Sequence, residues 1–101
     1  MIPTIGRKVW FFPSDEELQA EDAVRLSDQP FDATVVHVNG DGRIEGTHSI
    51  NIIYFDHAGS QFAYGAVMLA LPDSEEAATL TASGGSYCTW MPYQVSQAAK
   101  S

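Results

Sequence analysis

The chain has 101 residues, 45% of them hydrophobic, with 13 acidic and 5 basic side chains and a formal net charge of -8. Such a length and apolar content suit one domain with a single core. The acidic excess repels phosphate backbones and anionic bilayers, which argues against nucleic acid polymers and membranes as partners, although a few local donors can still hold a small anion.

Residues 8–12 (Lys-Val-Trp-Phe-Phe) read as a short strand that Pro13 stops. Ser14 followed by Asp15, Glu16 and Glu17 has the pattern of a helix cap with an acidic first turn. The segment to Leu26 has only a thin apolar stripe, so it is expected as an exposed acidic loop with at most one or two helical turns. Residues 31–39 form a clear strand, and Gly40-Asp41-Gly42 is turn chemistry. Residues 50–55 and 61–71 are strands joined by Asp56-His57-Ala58-Gly59, the best hairpin in the chain. A polar excursion runs from Pro72 to Gly85, with a helical turn expected around 75–80. Residues 87–91 make the last strand, and residues 95–101 read as a flexible tail.

Five short strands in one hundred residues must curl or stack to bury a face. The expected fold is all-β: a small five-stranded antiparallel, partly open barrel, SH3-like or OB-like, with short helical turns in its loops. It would occupy residues 1–94 as a single domain.

No catalytic pattern stands out. Gly-x-Ser-x-Gly, a phosphate-cradling loop ending in Lys-Ser/Thr and His-Glu-x-x-His are all absent. Cys88 is the only cysteine, so there is no intrachain disulfide and no CxxC pair. It lies in an apolar strand without a basic neighbour and reads as a buried, inert thiol. His37, His48 and His57 fall on three separate segments, and nothing in their spacing requires a metal. If Val36 and Val38 face the core, His37 faces outward; Asp56 reads as a turn former. The expectation is a non-enzyme without cofactor or metal. Met1 leads into no basic segment followed by a long apolar run, which points to a reducing cytoplasm.

Binding features are better supplied. Trp10, Phe11 and Phe12 open the domain, and Trp90, Met91, Pro92 and Tyr93 close it. In a strand, Trp10 and Phe12 share one face while Val9 and Phe11 share the other. One pair must face the core, and the other is open to serve as a platform or an oligomer contact. Arg7 and Lys8 form the only basic pair and precede Trp10 closely. Aromatic plates beside an arginine suit a nucleobase and a phosphate. The candidate ligand-binding residues are therefore Arg7, Trp10, Phe12, His57, Trp90, Tyr93 and Gln94. A shallow one-hundred-residue surface would favour a homo-oligomer with a pocket between protomers.

Several motifs carry a resemblance from end to end. They are Met1-Ile2-Pro3-Thr4-Ile5-Gly6-Arg7-Lys8-Val9-Trp10 with Pro13-Ser14, Asp28-Gln29-Pro30-Phe31-Asp32-Ala33, and Asp56-His57-Ala58-Gly59. Trp90-Met91-Pro92-Tyr93-Gln94 and Gln97-Ala98-Ala99-Lys100 complete the set. Together they resemble a family of small proteins of tailed phages and prophages. Phe12 and Tyr64 stand where members of that family often carry basic residues. The resemblance implies a protein acting in the host bacterial cytoplasm. In style the chain is similar to small β-rich sponge proteins that sequester nucleotide signals of bacterial defence systems such as CBASS and Thoeris, an analogy at the level of fold. The leading expectation is thus a phage-encoded, non-catalytic sponge for a cyclic nucleotide or ADP-ribose derivative. The alternatives are an inhibitor or adaptor that binds a host protein through the acidic loop, and a minor virion component.

Overall fold

The computed structural model describes residues 3–91. Its elements are β1 (Lys8–Phe12), α1 (Asp15–Glu21), β2 (Phe31–Asp41), β3 (His48–Phe55), β4 (Gln61–Ala70), α2 (Glu75–Ser83) and β5 (Tyr87–Thr89). The five strands form a small β-barrel in the order β1-β2-β3-β4-β5, with β5 returning to pair β1. Two features differ from an antiparallel, partly open barrel. The ladder closes, and β5 runs parallel to β4. The two go together. Strands that alternate direction can close a ring only in even number, so a closed ring of five needs a parallel neighbour pair. A parallel pair in turn needs a crossover of about a dozen residues or more, usually helical. Residues 71–86, carrying α2, are that crossover.

The core follows from period-two burial. Val9 and Phe11 point in from β1, Phe31, Ala33 and Val35 from β2, and Ile50, Ile52 and Tyr54 from β3. Val67, Leu69, Cys88 and Trp90 complete the cluster. Phe11 is its centre of stacking, 4.5 Å from the Tyr54 ring and 5.5 Å from that of Tyr64. Tyr54 is fully buried, and its hydroxyl donates a 2.7 Å hydrogen bond to Glu17 Oε2 on α1. Burial and this carboxylate both raise the phenol's pKa, so the ring stays protonated and neutral.

The expected alternation fails in β2 beyond Val35. Val35 pairs with Ile52 and His37 with Asn51, which leaves Val36 as the extra residue of a bulge. Val36 is 39% exposed, not core-facing; Val38 is half-buried and His37 exposed. A matching irregularity in β4 lies at Gly65 and Ala66, opposite Asn51. The Asn51 side-chain oxygen accepts from Ala66 N–H and from Asn39 Nδ2, both at 2.9 Å, and so ties the two irregular stretches together. His48, outside the strands expected from the sequence, opens β3 and pairs with Asp41, so the reversal starts only at Gly42, the last residue of the Gly40-Asp41-Gly42 run.

Ser14 caps α1 as the sequence indicates, accepting from Glu17 N–H at 3.2 Å. The Ser14 N–H donates to Ser86 Oγ at 2.8 Å, which fastens the start of α1 to the approach of β5. Because Phe11 fills the middle of the barrel, Phe11→Ala is expected to cost about 3–5 kcal/mol of unfolding free energy. Urea denaturation followed by circular dichroism measures it.

Candidate functional site

The outward residues of β1 and β5 meet across their ladder in register: Trp10 opposite Thr89, and Phe12 opposite Tyr87. Val9, Phe11 and Cys88 are committed to the interior, so these four side chains face the other way. Phe12 and Tyr87 stack at 5.0 Å between centroids with planes 14° apart. The crossover then lays α2 over this outer face. Ala77 and Leu80 pack α2 onto Ala70, with Ile44, Met68 and Tyr87 around them. Between the helix and the strands a pocket of about 320 Å³ is left. Trp10, Phe12, Tyr87 and Thr89 form its strand wall, Ala77, Ala78 and Thr81 its helix wall, and Pro72, Asp73 and Ser74 its rim.

Small residues on the helix wall leave the aromatic surface accessible. Ser74 caps α2, its hydroxyl accepting from Ala77 N–H at 3.1 Å. Thr81 Oγ1 and the Tyr87 hydroxyl share a 2.8 Å hydrogen bond that holds the tyrosine ring. One buried polar group of the lining has no such partner. Thr89 is 4% exposed and its Oγ1 is buried without any hydrogen bond. Asp73, exposed on the rim, sits in the left-handed region at φ 56°. Among the described residues, neither Lys, Arg, His nor Cys lines the pocket.

Of the residues singled out in the sequence, Trp10 and Phe12 come together here. Arg7 does not; it lies on a separate depression with Thr4, Ile5, Gly6 and Lys8, where Lys8 pairs with Asp32 at 3.2 Å. Trp90 is 2% exposed within the main core and has no open ring face to offer a ligand. Tyr93, Gln94 and the 95–101 tail lie outside the described residues. Cys88 is fully buried, and burial pushes its thiol well above the ordinary range. Among the described residues no group of three or more His, Cys, Asp or Glu is placed to hold a metal, and no helix is long and apolar enough to cross a membrane.

His57 is a fastening. Its Nδ1 accepts from Leu26 N–H at 2.9 Å, its backbone N–H donates to Val24 O at 3.0 Å, and its ring stands edge-on to Phe31 at 4.6 Å. Asp56 beside it does more than turn the β3–β4 hairpin. One carboxylate oxygen accepts from Ala58 and Ser60 N–H, and the other from Val24 N–H at 2.9 Å. Together the two residues clamp the acidic segment onto the hairpin.

Tyr87, Thr89, Thr81 and Asp73 were not among the candidates drawn from the sequence. A signal existed for two of them: once Cys88 is taken as core, Tyr87 and Thr89 must face out beside Trp10 and Phe12. Comparison with protein-family models, with characterised proteins and with solved structures finds no match to this chain.

Two outcomes follow from the unpaired hydroxyl and from the clamp. Replacing a buried, unsatisfied hydroxyl by a methyl group removes a penalty of about 1–3 kcal/mol, so Thr89→Val is expected to stabilise the ligand-free protein by that order in a urea titration. Asp56 behaves oppositely. The Val24 N–H bond, with those of Ser60 and Ala58, holds its pKa below the ordinary 3.8. A group depressed on folding contributes stability above its unfolded pKa and loses it as pH falls through the folded one. Asp56→Ala should therefore be less stable than the parent at neutral pH, with the gap constant down to about pH 5 and closing below about pH 4. Thermal melts across that range test the sign.

Proposed function

We propose that this chain is a phage-encoded binding protein that captures a nucleotide-derived signal without turning it over, holding the heterocyclic ring against Trp10, Phe12 and Tyr87. The observation that carries the reading is the pocket under α2, where a three-ring surface adjoins a buried hydroxyl with no partner. Ligand pockets commonly combine such an apolar, aromatic lining with a few polar groups that fix orientation. A flat ring gains stacking on the aromatics. Among the described residues no cation lines the pocket, so in this reading the ring enters and the phosphates stay toward solvent. The hydroxyls and single carboxylate of the pocket include no activated nucleophile, which favours capture over hydrolysis.

A second reading, an inhibitor or adaptor of a host protein, draws support from one feature. Leu26 is 74% exposed on the acidic segment, yet its backbone is pinned by His57. A rigid, acidic, apolar-tipped segment suits a protein partner. Self-association of the chain remains part of the first reading.

Calorimetry with cyclic nucleotides and ADP-ribose derivatives, followed by chromatography of the ligand released on denaturation, tests the proposal. Recovery of an unaltered nucleotide is expected. Trp10→Ala should weaken its binding about five- to a hundredfold, the range for loss of one base-stacking aromatic. Neutralising Glu16, Glu21 and Asp22 should leave capture unchanged. If no nucleotide binds and those neutralisations instead abolish a host-protein complex, the second reading replaces the first; a chemically altered ligand would make the protein an enzyme.

A further inference from the structure

We propose that His57 is a protonation-sensitive latch on the acidic segment: when its imidazole takes up a proton it lets go of Leu26, while Asp56 keeps hold of Val24. The latch stands apart from the ligand reading above and concerns the segment between α1 and β2.

That segment is tied to the β3–β4 hairpin through two kinds of acceptor. Val24 N–H donates to Asp56 Oδ2 and Leu26 N–H donates to His57 Nδ1, both at 2.9 Å. The His57 backbone N–H also donates to Val24 O at 3.0 Å. Val24 is thus held twice. Among the described residues, Leu26 is hydrogen-bonded to the hairpin through the imidazole alone. Both residues present apolar side chains to solvent, Val24 at 40% and Leu26 at 74% exposure.

The two acceptors answer pH differently. To accept from Leu26 N–H, Nδ1 must carry a lone pair, so the ring is neutral with its proton on Nε2, the nitrogen 3.5 Å from Pro30 O. In the imidazolium both nitrogens are donors. Protonation then sets two N–H groups against each other, and the bond is lost. The ring is half-buried, within reach of solvent protons, and histidine is the side chain that changes charge between about pH 5 and 8. Asp56 remains an acceptor over that whole range, because the Val24 N–H and the hairpin N–H groups hold its carboxyl below the ordinary 3.8.

The charged groups on the elements around the ring are Asp56 on the hairpin, Asp22, Arg25 and Asp28 on the segment, and Asp32 in β2. Asp32 pairs with Lys8, Arg25 Nε donates to Ser27 O at 3.0 Å, and Asp56 is occupied by backbone N–H groups. Carboxylates outnumber cations there, so a positive ring is not repelled; what protonation takes away is the lone pair. The result is a partial release, with Leu26 freed and Val24 still docked. A partner that reads both side chains finds them in position at neutral pH and must order Leu26 itself in acid.

The experiment follows amide hydrogen exchange of Leu26 and Val24 in the full chain by NMR from about pH 8 to about pH 5, corrected for the intrinsic pH dependence of exchange, while the ring nitrogen shifts report its tautomer and charge. Leu26 protection is expected to fall about two- to tenfold as the ring protonates, as for one lost hydrogen bond, with Val24 protection unchanged. His57→Asn puts an amide oxygen in the place of Nδ1, and that oxygen does not titrate, so Leu26 protection should hold across the range. His57→Phe keeps a ring beside Phe31 and removes the acceptor, so Leu26 should be as unprotected at the neutral end as it is in the parent at the acid end. Constant Leu26 protection in the parent overturns the latch. So does an equal fall in His57→Asn, or a Val24 amide that opens together with Leu26. If His57→Phe does not fold, the parent and His57→Asn decide by the same criteria.

Discussion

A ring of five strands cannot alternate direction all the way round. One neighbouring pair must run parallel, and here it is β4 and β5. Everything distinctive about the outer surface follows from that constraint. A hairpin cannot join parallel strands, so the chain needs a crossover, and α2 supplies it. The helix must bury an apolar side, and it does so with Ala77 and Leu80. Beside them the helix meets Ile44, Met68 and Tyr87 and overhangs the outward residues of β1 and β5, which in an open sheet would face water. Thr89 shows the result: it points away from the core, yet is 4% exposed because the crossover and Trp10 cover it. The candidate pocket is the space left where a helix of small residues covers a strand pair of large ones.

The end of the barrel at the β3–β4 hairpin is organised by side chains reaching across long sequence separations. The Tyr54 hydroxyl on Glu17, and Asp56 with His57 on Val24 and Leu26, bind the acidic segment to the β3–β4 hairpin. Those of Glu17 and Asp56 are accepted by carboxylates, and hydrogen bonds to charged groups are worth the most. They explain how a segment with few apolar residues keeps one conformation. The same carboxylates that make the chain acidic thus do structural work at this end.

The legible part of the fold was the part governed by local rules. Period-two burial in Val9–Phe11 and in Ile50–Ile52–Tyr54, the stop at Pro13, the Ser14 cap and the Asp56 hairpin all act within a few residues, and each appears in the structure. The bulge at Val36 was not legible, because the extra residue is defined by its partner strand and not by its own neighbours. Nor was the role of Asp56 and His57 as a clamp, since Val24 and Leu26 lie about thirty residues earlier in the chain, a long-range contact with no local signal. The aromatics divided in the same way. Trp10 and Phe12 could be assigned to one face by alternation, but which face was inside, and that Trp90 joined the core, depended on how the ring closed.

Charge sets a last condition on any ligand of nucleotide type. A chain at -8 repels an anion at long range, and physiological salt screens that repulsion beyond about 8 Å. Attraction must therefore come from contact: stacking, exclusion of water and hydrogen bonds to groups already in position. Contact of that kind demands a surface that is built before the ligand arrives, because ordering side chains on binding would consume the small gain available. The Phe12–Tyr87 stack, the Thr81–Tyr87 hydrogen bond and the capped α2 hold the lining in place from three sides. The first two depend on β5 returning to pair β1, so the closure of the odd-numbered ring sets the position of the rings on which the pocket is built.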